Sequence, residues 1–324
     1  MPPPPSFPPS FPPSTPPPAP PALARRRVLL AGGAITAVGG LAGWWRTLGA
    51  TVDREPADGR PLLRGRAPAI FVGHGSPMNA LQDNDFTRSL RAWGRAIGQP
   101  RAILVVSAHW LSERQVQVSV TDHPETIHDF GGFPPALHRA RYPAPGAPAA
   151  AERAALRLAP QRVARDAQRG LDHGAWTVLH HLYPAADVPV AQLSIDITRG
   201  APFHLGLGRA LAALRDEGVL IVGSGNVVHN LGETLPDAAA SARGLTPWAD
   251  DFDQRVRQAL DAGDTAALLR YEALGPGAAL AVPFQDHYLP LLYALGAAQA
   301  DERPRHVFEG FQAGTLSMRC VQWG

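Results

Sequence analysis

The sequence predicts an α/β fold: a single domain with a mostly parallel central sheet, flanking helices, and a metal site at the carboxyl ends of the strands. Three observations carry this. Apolar, β-branched runs at 67–72, 101–107, 188–195 and 219–222 alternate with segments of helical period. Most of these runs lead into Gly or Ser residues. Histidines stand at or just beyond those turns, in Gly73-His74-Gly75, Ser107-Ala108-His109-Trp110 and Gly225-Asn226-Val227-Val228-His229-Asn230, and a fourth opens a helix in Asp286-His287-Tyr288. Ligands of open parallel sheets bind at that rim, and several imidazoles on one rim make a metal site.

In chain order, residues 67–72 form a first buried strand ending at Gly73-His74. Phe86, Leu90, Trp93 and Ile97 are spaced for a helix over 85–98, stopped by Gly98. The run 101–107 is a second strand leading to His109. Residues 115–120 alternate polar and apolar, the pattern of a half-exposed strand. A loop at 121–146 is rich in Gly, Pro and aromatic residues; its length points to function and its aromatic content argues against disorder. Helices follow around 149–158 and 176–182, then a strand at 188–195 and an amphipathic helix at 203–217 ended by Gly218. Strand 219–222 runs into Gly223-Ser224-Gly225-Asn226. Residues 248–271 are mostly helical, His287 opens an apolar helix through Leu295, and 315–323 alternates like a closing strand.

The chain has 324 residues, 45% hydrophobic and 18% charged, enough for a large core. Its net charge of +2 gives no case for nucleic acid as a partner. Cys320 is the only cysteine, which excludes an intrachain disulfide and a cysteine-based zinc cluster but leaves the redox compartment open. All 30 basic residues are arginine, so a Gly-x-x-x-x-Gly-Lys phosphate loop is excluded. Gly223-Ser224-Gly225 is only a fragment of a dinucleotide fingerprint, and Pro77 spoils His74-Gly75-Ser76-Pro77 as a nucleophile elbow.

Residues 1–24 are a Pro-rich tract that favours extended polyproline II and cannot bury a core, the composition of a disordered tail. Residues 25–60 open with Arg25-Arg26-Arg27-Val28-Leu29-Leu30 and continue in a Gly/Ala-rich apolar run to Trp45. That layout is a twin-arginine-like signal or a membrane anchor, followed by a linker. It predicts a periplasmic or inner-membrane-anchored protein, with the twin-arginine export machinery or the bilayer as partner; a cytoplasmic protein is the alternative.

A single histidine after a buried strand is more often a packing residue than a ligand. Four in comparable strand-end or helix-start positions are much less easily explained by packing. Neutral imidazoles suit zinc, iron, copper and nickel, so the residue type does not select the metal. Gly73 and Gly75 remove side-chain bulk around the His74 imidazole. A second group is His128 and Asp172-His173-Gly174. His173 reads either as an acid/base that meets the substrate, with Asp172 to orient it, or as part of a helix N-cap. His180 and His181 read as surface or packing residues; His123, His138, His204 and His306 carry no assigned role.

These motifs resemble the 4,5-DOPA extradiol dioxygenase family, within the class III extradiol ring-cleaving dioxygenases. The matching stretches include Gly73-His74-Gly75-Ser76-Pro77-Met78-Asn79, Ser107-Ala108-His109-Trp110, Asp129-Phe130-Gly131-Gly132-Phe133-Pro134, Asp172-His173-Gly174-Ala175-Trp176, Gly223-Ser224-Gly225-Asn226-Val227-Val228-His229-Asn230 and His287-Tyr288-Leu289-Pro290. They run in family order to the C-terminus, so the resemblance makes 61–324 the catalytic domain. It implies a metal held by His74, His109 and His287, with His229 as a fourth ligand or an acid/base. It implies that His173 handles protons beside the metal, and His128 is a candidate substrate contact. The segment Pro283-Phe284-Gln285-Asp286 departs from the family pattern just before His287. The implied reaction opens a small-molecule, DOPA-like catechol ring next to its two hydroxyls and inserts both atoms of O2. Zinc is expected in the site from the family. Iron(II) is expected from the chemistry, because dioxygen must be activated and zinc has no redox chemistry. Residues 130–134 read as a lid that excludes water. The competing readings are a zinc-dependent hydrolase and a non-catalytic metal-binding protein on the same fold.

Overall fold

The computed structural model describes residues 58–235 and 246–324, all within the compact unit Trp44–Gly324. The Pro-rich tract at 1–24 and nearly all of the leader expected at 25–60 lie outside the described residues. Among the described residues, no helix is long and apolar enough to cross a membrane.

The strands are β1 (Ala69–Gly73), β2 (Ala102–Ser112), β3 (Val116–Ser119), β4 (Val163–Asp166), β5 (Val190–Asp196), β6 (Val219–Gly225), β7 (Arg305–Phe308), β8 (Phe311–Gln312), β9 (Leu316–Ser317) and β10 (Cys320–Trp323). Eight of them form one sheet in the order β4-β3-β5-β2-β6-β1-β10-β7, while β8 and β9 pair separately. The central four, β5-β2-β6-β1, are parallel. β10 runs antiparallel to β1, β7 antiparallel to β10, and β3 antiparallel to β5. Every residue of β1, β5 and β6 is buried. Burial on both faces is why these strands read as continuous apolar runs rather than alternations.

The longer helices are α1 (Asp85–Ile97), α2 (Pro148–Arg157), α3 (His173–Leu182), α4 (Ala201–Leu211), α5 (Pro247–Ala262) and α6 (Leu289–Ala297). α1 and α3 cover one face of the sheet, burying Phe86, Leu90, Trp93 and Trp176 with Ile70, Val72, Ile103 and Val222. α2, α4, α5 and α6 cover the other, with Phe71, Leu104, Val106 and Ile221. α1 follows its sequence closely: Asn84 caps it through the Thr87 N–H, the predicted stripe is buried, and Gly98 at φ +84° ends it.

Several boundaries differ from the sequence reading. β2 runs on past Ser107 to Ser112, so His109 lies inside a strand rather than after one. β4, β7 and β8 were not expected, and the closing strand at 315–323 is broken into β9 and β10. The helix expected at 203–217 starts at Ala201 and tightens to a 3-10 turn over Ala212–Glu217. The loop at 121–146 contains a short helix, Pro135–Arg139.

Candidate metal centre

The strand order sets the carboxyl ends of β2, β6 and β1 side by side. His74 directly follows β1. His109 is carried by β2 where its ladder with β5 is irregular between Val106 and Leu111. His229 stands four residues beyond β6. His287 ends a 3-10 turn, Gln285–His287, just before α6. That turn seats directly on Gly225: a Cβ at Gly225 would fall 2.1 Å from the His287 carbonyl oxygen. The Asn226 N–H donates to the same oxygen at 2.9 Å, and the His74 N–H donates to the Gly225 oxygen at 3.0 Å. Gly174, the residue after His173, is equally constrained, because a Cβ there would lie 2.9 Å from Cδ2 of His109.

All five imidazoles, His74, His109, His173, His229 and His287, line one cavity of about 840 Å³. Asp129, Asp286, Phe130, Phe133 and Gln312 share its wall. Nε2 of His74 and Nε2 of His109 face each other at 3.2 Å. Two nitrogens each about 2.0–2.1 Å from one tetrahedral ion would be about 3.3 Å apart, so this separation fits a shared metal. The His287 ring lies 5.3 Å from that of His74 and 4.9 Å from that of His109. Both ring nitrogens of His287 are buried with no hydrogen-bond partner. Asp286 Oδ1 is 3.1 Å from Nδ1, out of line for a hydrogen bond, and instead accepts the His287 backbone N–H at 2.8 Å. A buried ring with two unanswered nitrogens calls for a further partner, and a metal ion supplies one.

The neighbours of His74 settle which of its nitrogens is free. The Ser224 hydroxyl donates to the Gly174 carbonyl at 2.6 Å, so it accepts from Nδ1–H of His74 at 3.0 Å. Nε2 therefore keeps its lone pair. Burial holds His74 and His287 well below the ordinary imidazole range, helped by the neighbouring histidines. Burial likewise brings His109 and His229 down to about 4. Neutral imidazoles are the form that binds a metal.

The geometry does not reproduce the expected ligand set in every detail. One ring nitrogen each of His74, His109 and His173 lies within 4.8 Å of the other two, a grouping that brings His173 in as a donor. His229 is stacked flat on His287, with centroids 3.5 Å apart and planes 6° apart. His128 does not line the cavity; its Nε2 lies 2.9 Å from the Ala140 oxygen. Gly73 and Gly75 make room for something other than the imidazole: a Cβ at Gly73 would strike Ser317 O at 2.6 Å, and one at Gly75 would strike Sδ of Met318 at 2.4 Å. His181 is a packing residue, its Nε2 2.8 Å from the Asn79 oxygen.

Asp172 does not orient His173. It is fully buried and caps α3 through the Ala175 N–H. It also accepts from Ser107 Oγ at 2.6 Å, Arg169 Nη2 at 2.7 Å and Gln192 Nε2 at 2.7 Å. The carboxylate on His173 is Asp129, with Oδ2 3.0 Å from Nδ1 of the ring. Burial opposes ionisation of Asp129, but the close His173 ring and its backbone N–H outweigh it and bring the carboxyl down to about 2. Sequence reasoning missed Asp129 and Ser224. The available signals were an acid within the long Gly/aromatic loop and a hydroxyl between two glycines at the end of a buried strand.

Residues 67–318 match the family model described as the catalytic LigB subunit of aromatic ring-opening dioxygenase. The chain is 47% identical over 266 residues to an Escherichia coli (strain K12) protein named 4,5-DOPA dioxygenase extradiol, covering 80% of this chain and 95% of that one. A Beta vulgaris protein of the same name is 41% identical over 254 residues, 76% of this chain and 93% of the other. The crystal structure of an uncharacterized protein from Escherichia coli K12 superposes with a TM-score of 0.68 at 43% identity, covering 80% of this chain and all of that one.

Proposed function

The chain belongs to the family of the catalytic LigB subunit of aromatic ring-opening dioxygenases, and on that premise we propose that it is a metal-dependent extradiol dioxygenase opening a DOPA-like catechol with O2. The observation that carries the reading is the pair of facing Nε2 atoms of His74 and His109, 3.2 Å apart, beside the unpartnered buried ring of His287. These three residues are the metal ligands in this reading, and His229, stacked on His287, completes or flanks the set. His173 is kept as the proton-handling residue because a carboxylate, Asp129, stands 3.0 Å from its Nδ1.

Iron(II) held there would supply dioxygen activation and favour ionisation of the catechol hydroxyls. The protein's own groups do the rest. His173, at the mouth of α3 and 3.8 Å ring to ring from His109, accepts a proton from a catechol hydroxyl and returns it as the ring opens. Phe130 and Phe133 line the cavity and pack edge-on to each other, which shields the reacting centre from water. The wall holds two carboxylates, Asp129 and Asp286, and no arginine among the described residues. That charge balance supports a catechol whose side chain carries an ammonium, as in the substrate named for the relatives, over one carrying a carboxylate alone.

The test is anaerobic reconstitution of the metal-free protein with Fe(II) or Zn(II), followed by L-DOPA or another catechol in the presence of O2. O2 uptake and a yellow semialdehyde are expected with iron. No uptake with any catechol under iron sinks the dioxygenase reading, and O2-independent turnover under zinc favours a hydrolase. His287→Ala should bind less than one metal per chain; full occupancy in that variant removes His287 from the ligand set.

A further inference from the structure

One carboxylate grips His173 at two points. Oδ1 of Asp129 accepts the His173 backbone N–H at 2.9 Å, and Oδ2 lies 3.0 Å from Nδ1 of the same ring. The second approach is out of line for a hydrogen bond, and no other group among the described residues answers Nδ1. Oδ2 is also 3.8 Å from Nδ1 of His109, which places Asp129 between the two imidazoles.

The loop that carries Asp129 is built to hold it there. Thr126 and Leu171 form an isolated parallel bridge. The Ile127 N–H donates to the Leu171 oxygen at 2.8 Å, and the Leu171 N–H donates to the Glu125 oxygen at 2.7 Å. Trp176 Nε1 donates to the Ile127 oxygen at 2.9 Å, and the Tyr142 N–H donates to Thr126 Oγ1 at 2.9 Å. Residues 125–127 are thus laced to the segment that enters α3, and two residues later the chain delivers Asp129 to the first residue of that helix. The two residues are 44 apart in sequence.

An ionised carboxylate only accepts hydrogen bonds and attracts positive charge, so with Oδ2 3.0 Å away the ring proton is favoured on Nδ1. A neutral His173 with Nδ1–H has its lone pair on Nε2. We propose that Asp129 is the positioning residue of His173, fixing its Nδ1–H tautomer and ring orientation so that Nε2 is the atom that accepts the proton. The catalytic consequence rests on the dioxygenase reading; the tautomer does not.

The experiment therefore has two arms. In the first, the metal-free full-length protein is labelled with 15N-histidine, and the His173 ring is identified by its loss in His173→Gln. Wild type should show a protonated Nδ1 and a bare Nε2 at His173, and Asp129→Ala should shift that ring toward the mixed tautomers of free imidazole. An unchanged His173 signal in Asp129→Ala overturns the proposal. Should Asp129→Ala fail to fold, Asp129→Asn decides, since it keeps an acceptor for the backbone N–H and removes the charge. In the second arm, the iron-loaded enzyme is assayed with L-DOPA. Asp129→Ala should lower kcat by roughly 10²-fold with KM and metal content little changed. Asp129→Glu should recover part of that loss, and Asp129→Ala combined with His173→Ala should be no slower than His173→Ala alone. Fully additive losses overturn the proposal. Absence of O2 uptake in wild type removes the ring-opening reading, and the spectra still decide the place of Asp129.

Discussion

Ser224 shows how much of this site is decided atom by atom. Its hydroxyl proton goes to the Gly174 carbonyl, so the oxygen is left to accept from His74, and that acceptance fixes which His74 nitrogen is free for a metal. Ser224→Ala removes the acceptor and leaves a buried Nδ1–H unanswered, without removing a ligand. Metal affinity should fall by roughly 10–100-fold with the fold retained, as measured by chelator competition; wild-type affinity would show that Ser224 serves packing alone. The histidines were legible in the sequence because each lies close to a recognisable apolar run or helix start, even though His109 falls within its strand rather than after it. Asp129 was not, because its role exists only once the loop is laced to residue 171. Asp172 looked like the orienter of His173 because it is adjacent, but adjacent residues at a helix start diverge. Its carboxylate turns back to cap Ala175 and into the network with Arg169 and Gln192.

At the scale of elements, the site depends on how closely the turn Gln285–His287 lies on β6. Gly225 has no side chain, and the His287 carbonyl occupies the space where one would be. Gly225→Ala must push that turn outward. A stability loss of about 1–3 kcal/mol is expected from the overpacking, together with weaker metal binding because His287 moves with the turn. Thermal melting of the metal-free and metal-loaded forms separates the two effects: a metal-induced rise in Tm equal to that of wild type would mean that His287 has not been displaced. The buried strands β1, β5 and β6 and the helix α1 were readable because burial on both faces, or on one stripe, writes itself into the apolar pattern. β4 (Val-Ala-Arg-Asp) and β7 (Arg-His-Val-Phe) were not, since they are four-residue edge strands of mixed burial with charged residues among the apolar ones. His109 was placed after its strand because Ser107-Ala108 resembles a turn; the chain instead stays extended through the irregular stretch of the β2–β5 ladder.

For the molecule as a whole, the α/β class and the rim location of the site follow from the alternation of strands and helices, and the same architecture sets how the protein responds to acid. His204 lies outside the site and joins α4 to α6. It is fully buried, its Nδ1 2.9 Å from the Tyr293 hydroxyl and its Nε2 3.2 Å from the Arg199 oxygen. Nε2–H donates to the carbonyl, so in the neutral ring Nδ1 accepts from the Tyr293 hydroxyl. Burial brings His204 down to about 4, against 6.5 for an exposed imidazole. The unfolded chain therefore takes up its proton first as pH falls. The stability contributed by neutral His204 is complete above pH 6.5 and is lost as pH drops from there toward 4. The full loss is about 3 kcal/mol, a large part of the roughly 5–15 kcal/mol that holds a domain together. His74, His109, His229 and His287 are all shifted in the same direction by burial, so in the metal-free protein their losses fall on the same side of neutrality. Urea unfolding of the metal-free protein between pH 7.5 and 4.5 should show a steep fall in stability below pH 6.5. His204→Gln, which has no imidazole to protonate, should be less stable than wild type at pH 7.5 and show a shallower slope. Parallel pH profiles for the two proteins would mean that His204 titrates normally in the folded state and that the site histidines alone account for the acid sensitivity.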